Sequence, residues 1–214
     1  MDFNTKYCAI IDYGMGNLFS VKNACTYVGL SSIITSKTEE INEAAMIILP
    51  GVGAFSNAMD SLQNLNLVDT ILNFASSGKP VIGICLGMQL LFEKSYEFGE
   101  KQGLGLIKGD VLKFDIKECL RVPHIGWNSI VETNSWDKTF LKGSKSESTM
   151  YFVHSFFCNP LDESVIVSKT KYGKKTFCSS LVKNNITGVQ FHPEKSANQG
   201  LLFYQNLKEY IYSL

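Results

Sequence analysis

The residue whose surroundings most suggest chemistry is Cys85, in the segment PVIGICLGMQ at residues 80–89. An apolar strand-like run leads into the cysteine, a helix-like run follows it, and Gly83 and Gly87 lie two residues to either side. This is the spacing of a nucleophile elbow, in which a sharp strand-to-helix turn holds a reactive side chain at the edge of a sheet. The N–H groups at a helix start also favour a thiolate. The pattern predicts a cysteine nucleophile, and the alternative is a cysteine that only fills an apolar core.

A nucleophilic thiol needs a base, and the chain has three histidines, at positions 124, 154 and 192. His192 lies in QFHPEKS at residues 190–196, where Glu194 follows two residues later. Side chains two apart in extended chain point the same way, so the carboxylate can orient the imidazole and stabilise its charged form. His154 follows an apolar run with no carboxylate close behind it and is the weaker candidate. The pattern favours a Cys-His-Glu site.

The segment PGVG at residues 50–53 follows another apolar run. Its backbone N–H groups could stabilise an oxyanion, although an ordinary strand-to-helix turn would have the same sequence. A dinucleotide fingerprint is not expected, because the third glycine it needs is replaced by Phe19 after one Gly-x-Gly and by Ser56 after the other.

The composition is that of a globular chain of 214 residues, 45% hydrophobic and 19% charged. Twenty basic and twenty acidic residues give a net charge of zero, which argues against nucleic acid or a polybasic membrane surface as partner. The longest apolar runs without charge, residues 44–55 and 80–92, are too short to span a bilayer. Residues 1–6 are polar and the run that follows is too short for a signal peptide. A cytoplasmic protein is predicted.

The six cysteines are scattered, and neither a Cys-x-x-Cys pair nor a His-x3-His spacing occurs. Neither a structural zinc site nor a disulfide framework is therefore expected. Most of the thiols are predicted to be small buried side chains in a reducing compartment.

Predicted strands and helices alternate in the first half of the chain. Strands are predicted at residues 7–11, 32–35, 46–49 and 80–84, and helices at 17–28, 55–62, 68–76 and 88–93, with a polar turn at 37–45. Continuous apolar strands between helices are typical of a parallel sheet covered on both faces.

The second half has shorter β-rich runs, which suggest an antiparallel or mixed extension of the sheet. They lie at residues 109–114, 126–132, 150–157, 165–168, 176–182 and 187–191, and a helix at 199–214 closes the chain. The predicted fold is a single α/β domain over residues 1–214, a three-layer sandwich whose mostly parallel sheet is extended by antiparallel strands. The segment PHIGWN at residues 123–128 reads as a loop.

Together these segments resemble a known family. GICLGMQ at 83–89 and QFHPE at 190–194 are similar to the class I glutamine amidotransferases, which have a flavodoxin-like fold. DYGMGN at 12–17, PHIGWN and HPEKS resemble one branch of them, the glutaminase subunits of imidazole glycerol phosphate synthase. The resemblance covers essentially the whole chain, with its motifs in the right order.

The resemblance implies a role for each of several residues and implies neither a metal nor a cofactor. The triad would be Cys85, His192 and Glu194; the oxyanion site Gly51, Val52, Gly53 and Leu86; the glutamine contacts Gln89, Glu97, His154 and Ser155; and the partner interface Asn17, Trp127, Tyr151 and Lys195.

The implied reaction is hydrolysis of L-glutamine to glutamate and ammonia. Since the glutaminase pattern runs from residue 7 to beyond 196, the ammonia acceptor is expected on another chain. The resemblance implies a heterodimer with a (β/α)8-barrel cyclase that makes imidazole glycerol phosphate and an aminoimidazole carboxamide ribotide in histidine biosynthesis. Two alternatives stay open, a glutaminase that feeds amidino-sugar synthesis for surface glycans and a non-catalytic regulatory module of the same fold.

Overall fold

The predicted buried strands form the centre of an eight-stranded sheet in this computed structural model, which describes residues 6–213. Within those residues the strands are, in chain order, β1 (Cys8–Ile11), β2 (Ser32–Thr35), β3 (Met46–Leu49), β4 (Val81–Ile84), β5 (Phe92–Ser95), β6 (Lys101–Gln102), β7 (Ile107–Lys113), β8 (His124–Ser129), β9 (Val131–Glu132), β10 (Thr149–His154), β11 (Phe156–Pro160), β12 (Ile166–Tyr172), β13 (Lys175–Lys183) and β14 (Ile186–Val189). The main sheet has the order β2-β1-β3-β4-β14-β13-β12-β9. Its strands are parallel from β2 to β14 and antiparallel from there to β9. This confirms the predicted fold class.

Helices cover both faces of this sheet. They are α1 (Leu18–Tyr27), α2 (Thr38–Glu43), α3 (Phe55–Asn64), α4 (Leu67–Ser76), α5 (Leu86–Leu90) and α6 (Ala197–Ser213). Successive residues of a strand point to opposite faces, so β1 and β3 contribute to two separate cores. One core contains the buried side chains of α3 and α4, and the other those of α1 and α6. The parallel strands β1, β3 and β4 are therefore buried on both sides, which explains their unbroken apolar sequences.

The remaining strands form two smaller sheets beside the main one. Strands β8 and β10 pair antiparallel, and the other sheet has the order β11-β7-β5-β6. The run at 150–157, predicted as one strand, is divided at Ser155 into β10 and β11, which belong to different sheets. The segment PHIGWN was predicted as a loop, which is wrong: residues 124–128 belong to β8, and the β-rich run predicted at 126–132 covered only the second part of that strand. Backbone pairing with β10 orders these residues.

Two predictions in the first half are also wrong. The segment at 37–45 contains α2, whose first turn carries Glu39 and Glu40, where acidic side chains favour a helix, and whose Ile41 is buried. The predicted helix at 88–93 ends at Leu90 and is followed by β5, because Phe92 pairs with β7 and the carbonyl of Phe92 accepts the N–H of Gly105.

Residues 1–5 and Leu214, which the sequence-based predictions include, lie outside the described residues. No helix within residues 6–213 is long and apolar enough to cross a membrane.

Candidate active site

Cys85 lies in the turn between β4 and α5, with a φ of 54° and a ψ of −108°. A positive φ is costly for a residue with a side chain and is found where surrounding structure enforces it. The glycines on either side allow the turn. A Cβ at Gly87 would collide with the carbonyl of Leu49 on β3, and one at Gly83 would press on the backbone of Gly87 and Met88. Glycine is therefore required at both positions for the steric reason expected of a nucleophile elbow.

His192 is brought to the cysteine by the neighbouring strand. Strand β14 pairs in parallel with β4, and the Cys85 N–H donates to the carbonyl of Val189 at 2.8 Å. The chain then continues through His192 into a 3-10 turn, Pro193–Lys195. The His192 N–H donates to the carbonyl of Tyr151 at 2.9 Å, which fixes the backbone on its other side.

Glu194 lies beside the imidazole, with Oε1 2.7 Å from Nδ1 of His192, and both side chains are buried. Burial alone would lower the pKa of His192, but the charge and hydrogen bonding of Cys85 and Glu194 outweigh it and raise that pKa to about 10. His192 is therefore protonated at neutral pH when Cys85 and Glu194 carry charge. Because Glu194 occupies Nδ1, the buried Nε2 is the nitrogen left to exchange a proton with Cys85 or with a reacting group.

The cavity beside Cys85 has a volume of about 460 Å³ and contains all four predicted glutamine contacts. It is lined by Val52, Gly53, Cys85, Leu86, Gln89, Glu97, Pro123, Val153, His154, Ser155, Phe156 and Lys195. A second cavity of about 410 Å³, between α6 and the β13–β14 turn, contains none of the predicted site residues.

The predicted oxyanion segment forms one wall of this cavity through Val52, Gly53 and Leu86. Gly53 has a φ of +103°, and Val52 is 41% exposed. Sequence reasoning missed Tyr13, whose buried hydroxyl donates to the carbonyl of Pro50 at 2.6 Å and occupies the place of a side chain at Gly51. The motif DYGMGN includes Tyr13, but nothing in the motif indicates its hydrogen bond to Pro50. Tyr13 thus fixes the start of the segment, while the peptides after Gly51 face the cavity.

Glu97 and His154 are held by backbone groups. Glu97 Oε2 accepts the N–H of Phe55 at 2.6 Å, which satisfies a free donor at the start of α3. Nδ1 of His154 donates to the carbonyl of Phe156 at 2.7 Å, so its Nε2 is an acceptor. Burial lowers the pKa of His154 to about 3 despite that bond. His154 is therefore neutral and does not have the charge-stabilising partner that His192 has.

Three of the four predicted interface residues form one cluster. Trp127 and Tyr151 are opposite each other in β8 and β10 with ring centroids 5.9 Å apart, and Lys195 Nζ lies 5.7 Å from the Tyr151 ring. Trp127 is 54% exposed. Asn17 is exposed at the N-cap of α1, which packs against the 3-10 turn that contains Lys195. Since Lys195 also lines the cavity beside Cys85, this surface adjoins that cavity.

Within residues 6–213 no group of three or more His, Cys, Asp and Glu side chains is arranged to hold a metal ion. All six cysteines are free thiols.

The fold and the Cys-His-Glu arrangement together define a class, the class I glutamine amidotransferases. A family model described as "Glutamine amidotransferase class-I" matches residues 9–207. Among curated proteins, the imidazole glycerol phosphate synthase subunit HisH of Aquifex aeolicus is 47% identical over 203 residues, covering 93% of this chain and 94% of the relative. The HisH subunit of Sulfurimonas denitrificans is 45% identical over 205 residues, covering 94% of this chain and 97% of the relative. The chain therefore belongs to the class I glutamine amidotransferases and, within them, to the HisH family.

Solved structures show the same fold at much lower identity. The chain is similar to a chain in the structure of PurLQS from Thermotoga maritima, with a TM-score of 0.76 at 17% identity, covering 96% of this chain and 99% of that one. It is also similar to the glutaminase domain of Trypanosoma brucei CTPS with bound acivicin, with a TM-score of 0.66 at 16% identity, covering 96% of this chain and 94% of that one. The predicted family and branch are confirmed by the curated relatives, and the fold by these structures.

Proposed function

We propose that this chain hydrolyses L-glutamine through Cys85, His192 and Glu194 and passes the ammonia to a separate cyclase subunit of imidazole glycerol phosphate synthase. The observation that carries the proposal is the buried His192–Glu194 pair, 2.7 Å apart, at the end of the strand paired with the Cys85 strand. A general base oriented by a carboxylate next to a nucleophile on an elbow is the arrangement that amide cleavage requires.

In the first half of the reaction, the Cys85 thiolate attacks the side-chain amide carbon of glutamine. The negative charge moves to the amide oxygen, where backbone N–H groups of the 51–53 segment and of Leu86 stabilise it. Protonated His192 then gives its proton to the departing nitrogen, and the C–N bond breaks. Ammonia and a thioester on Cys85 result.

In the second half, water replaces the ammonia. His192, now neutral, takes a proton from the water as it attacks the thioester carbon. The C–S bond breaks, glutamate leaves and the thiolate is restored. The raised pKa of His192 suits this role, because the ring holds a proton at neutral pH until a leaving group takes it.

Gln89 offers the substrate an acceptor rather than a donor. Its Nε2 donates one hydrogen to the carbonyl of Phe156 at 3.0 Å and the other to Oε1 of Gln190 at 3.2 Å. Both N–H groups are therefore used, and Oε1 is the part of the amide left to face a ligand. We assign this oxygen to an N–H group of the bound glutamine.

The ammonia would leave past Lys195 and Tyr151 toward a (β/α)8-barrel cyclase docked over Trp127. The continuity between the catalytic cavity and the Trp127–Tyr151–Lys195 cluster supports this route. Six free thiols are compatible with a reducing cytoplasm, where we place the complex.

The function is tested by incubating the purified chain with L-glutamine and measuring glutamate and ammonia, alone and with the cyclase and its acceptor ligand. We expect slow hydrolysis alone and faster hydrolysis in the complex, because glycines flanking Val52 let its peptide rotate into position on closure. L-asparagine, one methylene shorter, is the matched control substrate. Absence of glutamate formation in the complex would contradict the proposal.

Trp127→Ala is expected to weaken binding of the cyclase at least tens-fold. A buried aromatic anchor typically contributes about 2 kcal/mol or more to an interface. Titration of the labelled cyclase gives the dissociation constants. Because Trp127 is 54% exposed, the melting temperature of the isolated variant should equal that of the wild type.

Leu161→Ala is the matched control for that variant, since Leu161 is 78% exposed and follows β11 in a different sheet. It should leave the affinity unchanged. A large loss of monomer stability in Trp127→Ala with unchanged affinity would mean that the partner binds elsewhere.

A further inference from the structure

Two glutamine side chains connect the catalytic cysteine to the wall of the cavity. Gln190 follows β14 and is fully buried, and Gln89 on α5 is 5% exposed. Gln89 Nε2 donates to Gln190 Oε1 at 3.2 Å, and Gln190 Nε2 donates to Cys85 Sγ at 3.7 Å. The mechanism above makes no use of Gln190.

The directions of these bonds follow from the groups at their ends. The carbonyl of Phe156 can only accept, so Gln89 must turn its NH2 group toward it. The second hydrogen of that NH2 group then points to Gln190, which must present its oxygen. Gln190 is thereby left with its NH2 group facing the sulfur of Cys85. The orientation of one amide therefore fixes that of the other.

The sulfur has a second polar neighbour of the opposite kind. The carbonyl of Val153 lies 3.9 Å from Sγ and can accept the thiol proton, but it cannot donate to a thiolate. Gln190 can donate to either form and donates more strongly to the charged one. In a buried site, such a donor replaces the hydration that a thiolate would otherwise lose.

We propose that Gln190 is a positioning residue that holds the Cys85 sulfur and stabilises its thiolate, with its amide orientation fixed by Gln89. This inference rests on the proposed role of Cys85 as nucleophile. Gln190 also connects the substrate side of the cavity to the nucleophile. Gln89 presents its oxygen to the substrate, while its nitrogen orients Gln190, which in turn donates to the Cys85 sulfur. A glutamine bound at Gln89 therefore meets a sulfur already placed for attack.

Other titratable groups around the sulfur come from several elements. His192 lies beyond β14, Tyr13 beyond β1, Cys158 on β11, and Glu97, His154 and Lys195 line the cavity. Burial raises the pKa of both Tyr13 and Cys158, so these two stay uncharged at neutral pH. A substitution of Gln190 changes none of these charges, which makes the reactivity of Cys85 a direct measure of its effect.

The test is Gln190→Met, which keeps the length and volume of the side chain and removes the donor. The rate of Cys85 alkylation by iodoacetamide is followed from pH 5.5 to 9 by peptide mass spectrometry, since the thiolate is the reacting form. We expect alkylation at pH 7 to be roughly tenfold slower and the midpoint of the pH profile to lie roughly one pH unit higher, the usual effect of a hydrogen bond to a charged group. The kcat for glutamine hydrolysis should fall by a similar factor, with KM changing less.

Gln190→Leu provides a second variant that also removes the donor, and it brings no sulfur of its own beside Cys85. It should slow alkylation at pH 7 to about the same extent as Gln190→Met does. Thr187→Val is the matched control, because Thr187 is a buried polar residue near the other end of the same strand. It should leave the alkylation profile unchanged.

The inference is overturned if folded Gln190→Met or Gln190→Leu has the wild-type alkylation profile. Because alkylation requires no glutamine, this result is distinct from failure of the proposed function. That failure would appear in the wild type itself, as no glutamate formed in the complex.

Discussion

Cys85→Ala is expected to abolish glutamine-dependent synthesis, with a loss on the order of 10⁴-fold or more, as is usual when a covalent nucleophile is removed. The substitution removes the atom that attacks the amide and leaves His192 and Glu194 without a reaction to assist. With added ammonium salt the complex should work at its normal rate, because acceptor chemistry belongs to the partner. Glutamate release and product formation are measured in parallel, with glutamine or with ammonium.

Cys119→Ser is the matched control, since Cys119 is a partly exposed thiol far from the elbow in sequence. It should retain full turnover with glutamine. Retained glutaminase turnover in Cys85→Ala, or a trapped thioester mapped to Cys119, would remove Cys85 from the mechanism.

His192→Asn is expected to reduce glutamine hydrolysis to background, whereas Glu194→Gln should keep a residual rate. His192 moves the proton in both half-reactions, so its loss leaves ammonia without a proton source at the moment of departure. Glu194 orients the ring at 2.7 Å and stabilises its charge, and its removal leaves base and nucleophile in place. In another triad enzyme, loss of the orienting carboxylate costs roughly a hundredfold less than loss of the base. Initial rates at saturating glutamine separate the two variants.

His154→Asn is the control for the histidine assignment. His154 lines the same cavity but is neutral, so its substitution should affect substrate binding more than proton transfer. If His154→Asn proved more damaging to kcat than His192→Asn, the base would have to be reassigned to His154.

The parts of the site that could be predicted from sequence are those determined by local chain geometry. The elbow glycines Gly83 and Gly87 and the two-residue spacing of His192 and Glu194 each leave a pattern within one short segment. The backbone conformation of such a segment depends mainly on its own residues. The need for a glycine or for a two-residue spacing can therefore be recognised without knowing what packs against the segment. The family resemblance extended these patterns to the rest of the cavity.

The parts that could not be predicted depend on contacts between distant segments. Tyr13 reaches Pro50 across 37 positions, and Gln190 reaches Cys85 across 105. Strand β5 looked like the end of a helix because apolar residues in a short run fit either period, and only pairing with β7 decides between them. Trp127 was placed in a loop for the same reason, since β8 exists through its pairing with β10.

The parallel pairing of β4 with β14 also governs when the chain can become active during its synthesis. A ribosome makes Cys85 about a hundred residues before His192, which at usual elongation rates is a delay of roughly 5 to 20 s. Throughout that interval the nascent chain carries a thiol with no base beside it, because β14 has not yet been made to join the sheet. In the proposed mechanism a growing or prematurely terminated chain therefore consumes no glutamine, and activity begins only after the strand that precedes the last helix has been added.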